Sequence, residues 1–125
     1  MNRFYRINDV ELLSANHYPV KAMFDMVADS RFKRVVQLLS NNIGFGEEYG
    51  DCCFWGDLDE YDQANTEFFD GVEFGIEDEE RIVISYEELL YYLKIACAGY
   101  CEDHPEDAAT ILQYIEDYKT RNGLK

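Results

Sequence analysis

Phe69-Asp70-Gly71-Val72-Glu73-Phe74-Gly75-Ile76-Glu77-Asp78-Glu79-Glu80-Arg81-Ile82-Val83-Ile84-Ser85-Tyr86-Glu87-Glu88 is the stretch on which the reading of the fold turns. From Val72 the apolar residues alternate with Glu73, Gly75 and Glu77, the period of two expected of a half-buried strand. Asp78-Glu79-Glu80 makes a polar turn and Arg81-Ile82-Val83-Ile84 is β-branched, so Phe69 to Ile84 reads as a hairpin. The period then changes. Ser85-x-x-Glu88 is a capping box set just before an apolar run, with each side chain satisfying a backbone N–H of the other's residue. It predicts a helix from Tyr86 to about Cys101, along which Leu89, Leu90, Leu93, Ala96, Cys97 and Tyr100 recur at helical spacing.

Working outward, Cys52-Cys53-Phe54-Trp55 is a short apolar run between Gly50 and Gly56 and supplies a third strand. Gly56 to Thr66 reads as a long exposed loop, and loops of that length in a compact domain are often functional. Pro19 to Asn41 reads as one or two helices. Val20, Met23, Phe24 and Val27 fall on one face, and Phe32, Val35, Val36, Leu38 and Leu39 on another, with a break where Asp29 or Ser30 caps the second. Asn41-Asn42-Ile43-Gly44 and Gly46 stop it. At the other end His104-Pro105-Glu106-Asp107 starts a last helix: proline suits the first turn and the acids suit the positive end of the dipole. Ala108, Ile111, Leu112, Ile115 and Tyr118 form its stripe, and Gly123 ends it. Helices, then strands, then helices, without βαβ alternation, give an α+β class. The expected architecture is a small antiparallel sheet of about three strands packed by N-terminal and C-terminal helices, in one domain over residues 1–125.

Charge is distributed unevenly. Between Glu47 and Glu80 there are 14 carboxylates and no lysine or arginine, whereas the flanking segments carry +2 and −3 of the formal −15. Such a field attracts cationic surfaces and repels nucleic acid and anionic lipid. Aromatics at 15 % separate the chain from disordered acidic sequences. At this size roughly two-thirds of the unfolded surface is buried, enough for a core without disulfides. The opening Met1-Asn2-Arg3-Phe4-Tyr5-Arg6 leads into no apolar signal-peptide segment, and Leu89 to Tyr100 is interrupted by Lys94 and too short to span a bilayer. Reduced thiols in the cytoplasm are the expectation.

The residue types that carry chemistry are present without its patterns. Asp57, Asp59 and Asp62 resemble a calcium loop, but counted from Asp57 the sixth position holds Asp62 instead of glycine and the twelfth Phe68 instead of glutamate. No metal or cofactor is expected. Cys52-Cys53 and Cys97 with Cys101 lack the two-residue gap of zinc sites. Cys97 and Cys101 share a helix face and read as packing, while Cys52 and Cys53 point to opposite sides of a strand. His17 precedes Tyr18-Pro19, read as a turn, and His104 stands at a helix entrance. Neither lies in a motif with a nucleophile, so no enzyme is expected.

Binding remains. The acidic stretch is interleaved with Trp55, Tyr61, Phe68 and Phe69, and large aromatics beside charge are the usual composition of an interface anchor. The blander account makes Trp55 and Phe69 core and leaves the acids as solubilising charge.

Four strings carry a likeness to a known family: Leu13-Ser14-Ala15-Asn16-His17-Tyr18-Pro19-Val20, Ser40-Asn41-Asn42-Ile43-Gly44-Phe45-Gly46, Phe69-Asp70-Gly71-Val72-Glu73-Phe74-Gly75 and Val83-Ile84-Ser85-Tyr86-Glu87-Glu88. In these the chain resembles CdiI, the ribonuclease-toxin immunity proteins of contact-dependent growth inhibition (CDI) systems, from about residue 4 to the last helix. The resemblance implies a partner, the cognate basic ribonuclease toxin domain at the C-terminal region of a CdiA-type exported protein, met in the cytoplasm by a monomer in a 1:1 complex. A ribonuclease lines its cleft with cations to hold RNA, so carboxylates can occupy the phosphate positions. On this reading Asp57, Asp59, Glu60 and Asp62 pair with those cations, Trp55, Tyr61 and Phe68 anchor, and Glu67 and Asp70 extend the surface. Glu77 and Asp78 at the hairpin tip offer a second acidic region. The alternative is an acidic mimic of nucleic acid that titrates a host nucleic-acid-binding protein.

Overall fold

The computed structural model describes residues 5–77, 79 and 81–125. Helices α1 (Tyr18–Met26) and α2 (Asp29–Ser40) lead into strands β1 (Phe45–Glu47) and β2 (Gly50–Phe54). The short helix α3 (Glu60–Ala64) follows, then strands β3 (Val72–Ile76) and β4 (Ile82–Ile84), and helices α4 (Tyr86–Asp103) and α5 (Ala108–Arg121). The class is α+β, as the element order requires.

All four strands form one antiparallel sheet in the order β1-β2-β3-β4. Alternation decides its two faces. Phe45, Cys52, Phe74 and Ile82 stand in one register row, and Phe54, Val72 and Ile84 in another. These rows turn toward the helices, where α1 brings Met23 and Phe24 into the same buried core. The Phe24 ring centroid lies 6.3 Å from Phe74 and 6.5 Å from Phe45. Each such large apolar side chain contributes about 1.5–3 kcal/mol by leaving water. On the other face lie Gly46, Asp51, Cys53, Glu73, Gly75 and Val83, of which Gly46 and Val83 are exposed.

The sheet has a fourth strand beyond the three expected. Gly44 and Gly46 read as a helix stop, yet Phe45 between them is buried and pairs with Cys52. Gly46 projects where nothing lies within 4 Å, so a residue without a side chain suffices there. Strand β3 begins at Val72 rather than Phe69. Gly71 has φ +150°, and a Cβ there would collide with the Ile84 carbonyl. The stretch read as a loop, Gly56 to Thr66, holds a tight turn over Trp55–Asp57 and then α3.

The helical boundaries follow local chemistry, with two differences. Ser85 Oγ accepts the Glu88 N–H at 3.0 Å and Glu88 Oε1 accepts the Ser85 N–H at 2.8 Å, the predicted box. The break between α1 and α2 falls at Val27-Ala28, and the N-cap is Ala28, not Asp29 or Ser30. Asp29 is the first residue of α2, and its carboxylate accepts from Arg6 at 2.7 Å and contacts His104 at 3.2 Å. Tyr18-Pro19 opens α1 rather than forming a turn, because proline costs nothing in the first helical turn. Consequently His17 is buried, with Nδ1 2.7 Å from the Tyr92 hydroxyl. That oxygen also accepts the Leu13 N–H at 2.9 Å.

Helix α5 packs on α2 and α4. Buried Tyr118 donates its O–H to the Tyr86 carbonyl at 2.8 Å, Arg121 Nε donates to the Ser40 carbonyl at 3.0 Å, and the Asn42 and Asn122 amides bond reciprocally. Gly123 adopts φ +65°, the left-handed C-terminal conformation that glycine takes without strain.

Candidate partner-binding surface

Strand β2 ends by delivering Trp55 into the tight turn, and the segment after it is held by its own polar groups. Asp57 Oδ2 accepts the N–H of Phe54 at 2.8 Å and of Gly44 at 2.9 Å. Asp59 is the N-cap of α3 and accepts the Asp62 N–H at 2.8 Å. Gln63 Nε2 donates back to the carbonyls of Trp55 and Leu58 at 3.2 and 3.3 Å. The Trp55 ring meets Phe68 edge-on at 5.0 Å and Phe69 at 5.3 Å. Such pairs add about 0.5–1.5 kcal/mol beyond area burial. The result is a folded-down segment instead of a free loop.

The sequence-selected residues take distinct places on it. Trp55 and Phe69 are half-buried, whereas Phe68 is 64 % exposed and Tyr61 75 %. Glu60, Asp62, Glu67 and Asp70 are exposed and make no ion pair with the described residues. Trp55, Asp57, Asp59, Glu60, Tyr61, Asp62, Glu67, Phe68 and Asp70 thus gather near the C-terminal end of β2 and the N-terminal end of β3. Glu77 does not join them. It follows the other end of β3, where its N–H donates to the Tyr49 carbonyl at 2.7 Å. The four residue steps of β2 put the two ends about 13 Å apart. Asp78 lies outside the described residues.

Several acids of the middle segment are already engaged. Arg81 makes a two-pronged contact with Asp51, at 2.9 and 3.0 Å, and also reaches Glu73 at 3.0 Å. Its guanidinium lies across Gly75, where a Cβ would collide with it. These bonds raise the already high pKa of Arg81. Glu47 pairs with Arg31. Sequence reasoning missed this role of Arg81; the available signal was its place just ahead of a strand whose hairpin partner carries Glu73.

The thiols and phenols near this surface are held in their neutral forms. Burial, followed by the charges of Asp57 and Glu73, pushes Cys53 up to about 11. Cys52 is raised further by deeper burial, and Tyr86 by burial and then by Asp70. All four cysteines are free. Among the described residues, no three His, Cys, Asp or Glu side chains come together to hold a metal ion, and no helix is long and apolar enough to cross a membrane.

An α+β core that presents fixed aromatics beside unpaired carboxylates has the make-up of a binding protein. The chain belongs to the CDI immunity proteins, whose family model matches residues 16–115. No match to a curated protein was found. Family membership makes immunity the function and a cognate CDI toxin domain the partner.

Proposed function

We propose that this immunity protein neutralises a ribonuclease toxin by covering its basic RNA cleft with the surface around α3. The observation that carries this reading is the exposed set Glu60, Asp62, Glu67 and Asp70, unpaired among the described residues and flanking exposed Tyr61 and Phe68. A cleft that holds phosphates is lined with cations. Carboxylates replace phosphates there, and the two rings bury apolar area between them. The protein acts without catalysis, in the cytoplasm, as one copy per toxin.

Rim carboxylates chiefly speed association, while a desolvated pair or a buried ring is worth about 2–5 kcal/mol. The test is the double change Glu60→Lys and Asp62→Lys, which leaves the Asp59 cap of α3 in place, with toxin affinity measured by calorimetry at several salt concentrations. Weaker binding, a flatter salt dependence and restored RNA cleavage are expected. Affinity and salt slope equal to those of the unaltered protein would place the contact elsewhere. A variant complex that holds the toxin at full strength yet cleaves RNA would show that cleft coverage and attachment are separate.

A further inference from the structure

A second surface lies at the opposite end of the sheet. There α1 faces the turn between β1 and β2 and the exit of β3, leaving a groove of about 500 Å³. Tyr18 and Tyr49, each about half exposed, stand at its sides, and Met26 and Ile76 give it an apolar floor. Asp9 and Glu77 stand at its rim, exposed and without an ion pair among the described residues. The groove continues past Tyr49 into a shallower depression that includes Glu48.

The protein already displays the chemistry this groove suits. Lys21, almost wholly buried beside it, places Nζ 3.8 Å from the centroid of the Tyr5 ring and 2.6 Å from Asp25 Oδ2. An ammonium is thus held by an aromatic face and a carboxylate at once. Tyr18 and Tyr49 with Asp9 and Glu77 offer the same two elements again in the same groove, where Lys21 is already neutralised by Asp25. Asp9, Asp25 and Glu77 against Lys21 leave the groove negative. That charge rejects phosphates and other anions. A second copy of this chain is disfavoured as occupant, since each copy carries −15.

We infer that the groove receives an arginine or lysine side chain of the toxin domain, forming a second attachment point beyond the one around α3. This rests on the toxin-binding reading above and adds a place and a chemistry to it. A long basic side chain lies with its methylenes on Met26 and Ile76, its cationic head against the tyrosine faces, and its charge met by Glu77 and Asp9. Two attachment points beyond opposite ends of β2, a strand about 13 Å long, also fix the orientation of the partner.

The experiment uses the full chain, with the cognate CDI toxin domain as the probe, and calorimetry as the readout. Tyr49 is a turn residue whose backbone role, accepting the Glu77 N–H through its carbonyl, survives side-chain truncation. The double variant Tyr49→Ala with Glu77→Gln is expected to weaken binding by about 10- to 100-fold, the scale of one cation–π contact plus one charge pair. Tyr49→Phe is expected to stay within about 2-fold of the unaltered protein, because the ring face and not the hydroxyl does the binding. Circular dichroism and thermal unfolding of each variant establish that it is folded. If Tyr49→Ala misfolds, Glu77→Lys alone supplies the readout. The inference is overturned if the double variant binds as tightly as the unaltered chain, or if Tyr49→Phe loses as much as Tyr49→Ala. The Glu60→Lys and Asp62→Lys variant reads the other surface separately. Its failure to weaken binding while the groove variants do would sink the α3 placement and leave the groove standing. Absence of any toxin binding by the unaltered chain would overturn both.

Discussion

Asp57→Ala is expected to damage the fold rather than the interface, although Asp57 lies in the middle of the acidic segment. Its Oδ2 accepts two backbone N–H groups, from Phe54 at the end of β2 and from Gly44 ahead of β1. One carboxylate therefore ties the exit of one strand to the entrance of its neighbour. Hydrogen bonds to a charged group are worth about 1.5–3 kcal/mol each, and removing the acceptor leaves both donors without a partner. Partial exposure lets water replace part of the loss, so about 2–3 kcal/mol for the pair is the working figure. For a chain of this length that is about 8–12 °C in Tm. Asp57→Asn keeps an acceptor oxygen without the charge and is expected to lose about half as much. Thermal unfolding by circular dichroism reads both, and toxin affinity at a temperature where the variant is folded reads the interface. The reasoning is refuted if Asp57→Ala melts with the unaltered protein, or if it loses toxin affinity while its Tm is unchanged.

Other consequences are equally direct. Tyr92→Phe removes the acceptor of the Leu13 N–H and the partner of His17 inside the core. A loss of about 2–3 kcal/mol in urea unfolding is expected, and a loss under 0.5 kcal/mol would contradict the network. Cys53, pushed up to about 11 from an ordinary 9.0, should hold about 100-fold less thiolate than a free cysteine. Ellman's reagent at pH 8 should therefore react slowly with the native protein and fast after unfolding; a rapid native burst would contradict it. Asp29 is held below the ordinary carboxylate range first by the hydrogen bond from Arg6 and then by His104, and Asp107 first by the Tyr100 hydroxyl. A depressed folded pKa contributes stability above the unfolded value near 4, lost as pH falls through the folded one. The double variant Asp29→Asn with Asp107→Asn should thus show a smaller drop in unfolding midpoint between pH 5 and pH 2.5. An equal drop would assign acid sensitivity to other groups.

How much of this was legible in the chain can be seen element by element. The capping box of α4 and the alternation of β3 were readable because both depend on near neighbours and on one period. Strand β1 was not, since Phe45 is a single apolar residue between two glycines and pairing with Cys52 is what makes it a strand. Helix α3 was not, because its five residues carry no apolar stripe and the Asp59 cap with the Gln63 back-bonds holds them. The Trp55 cluster was visible as composition, but the division into half-buried Trp55 and exposed Phe68 was not. The tyrosine groove escaped altogether. Tyr18 and Tyr49 are 31 positions apart and meet only where α1 crosses the end of the sheet.

Class, helical faces, the hairpin and the negative middle segment belong to the sequence, because periodicity, capping and charge are properties of adjacent residues. Which carboxylates are engaged inside the molecule, as Asp51, Asp57 and Glu73 are, and which face outward, as Glu60, Asp62 and Glu67 do, was decided only when the chain folded. A carboxylate's role depends on the donor brought within 3 Å of it, and contacts between distant residues such as Arg81 and Asp51 exist only in three dimensions.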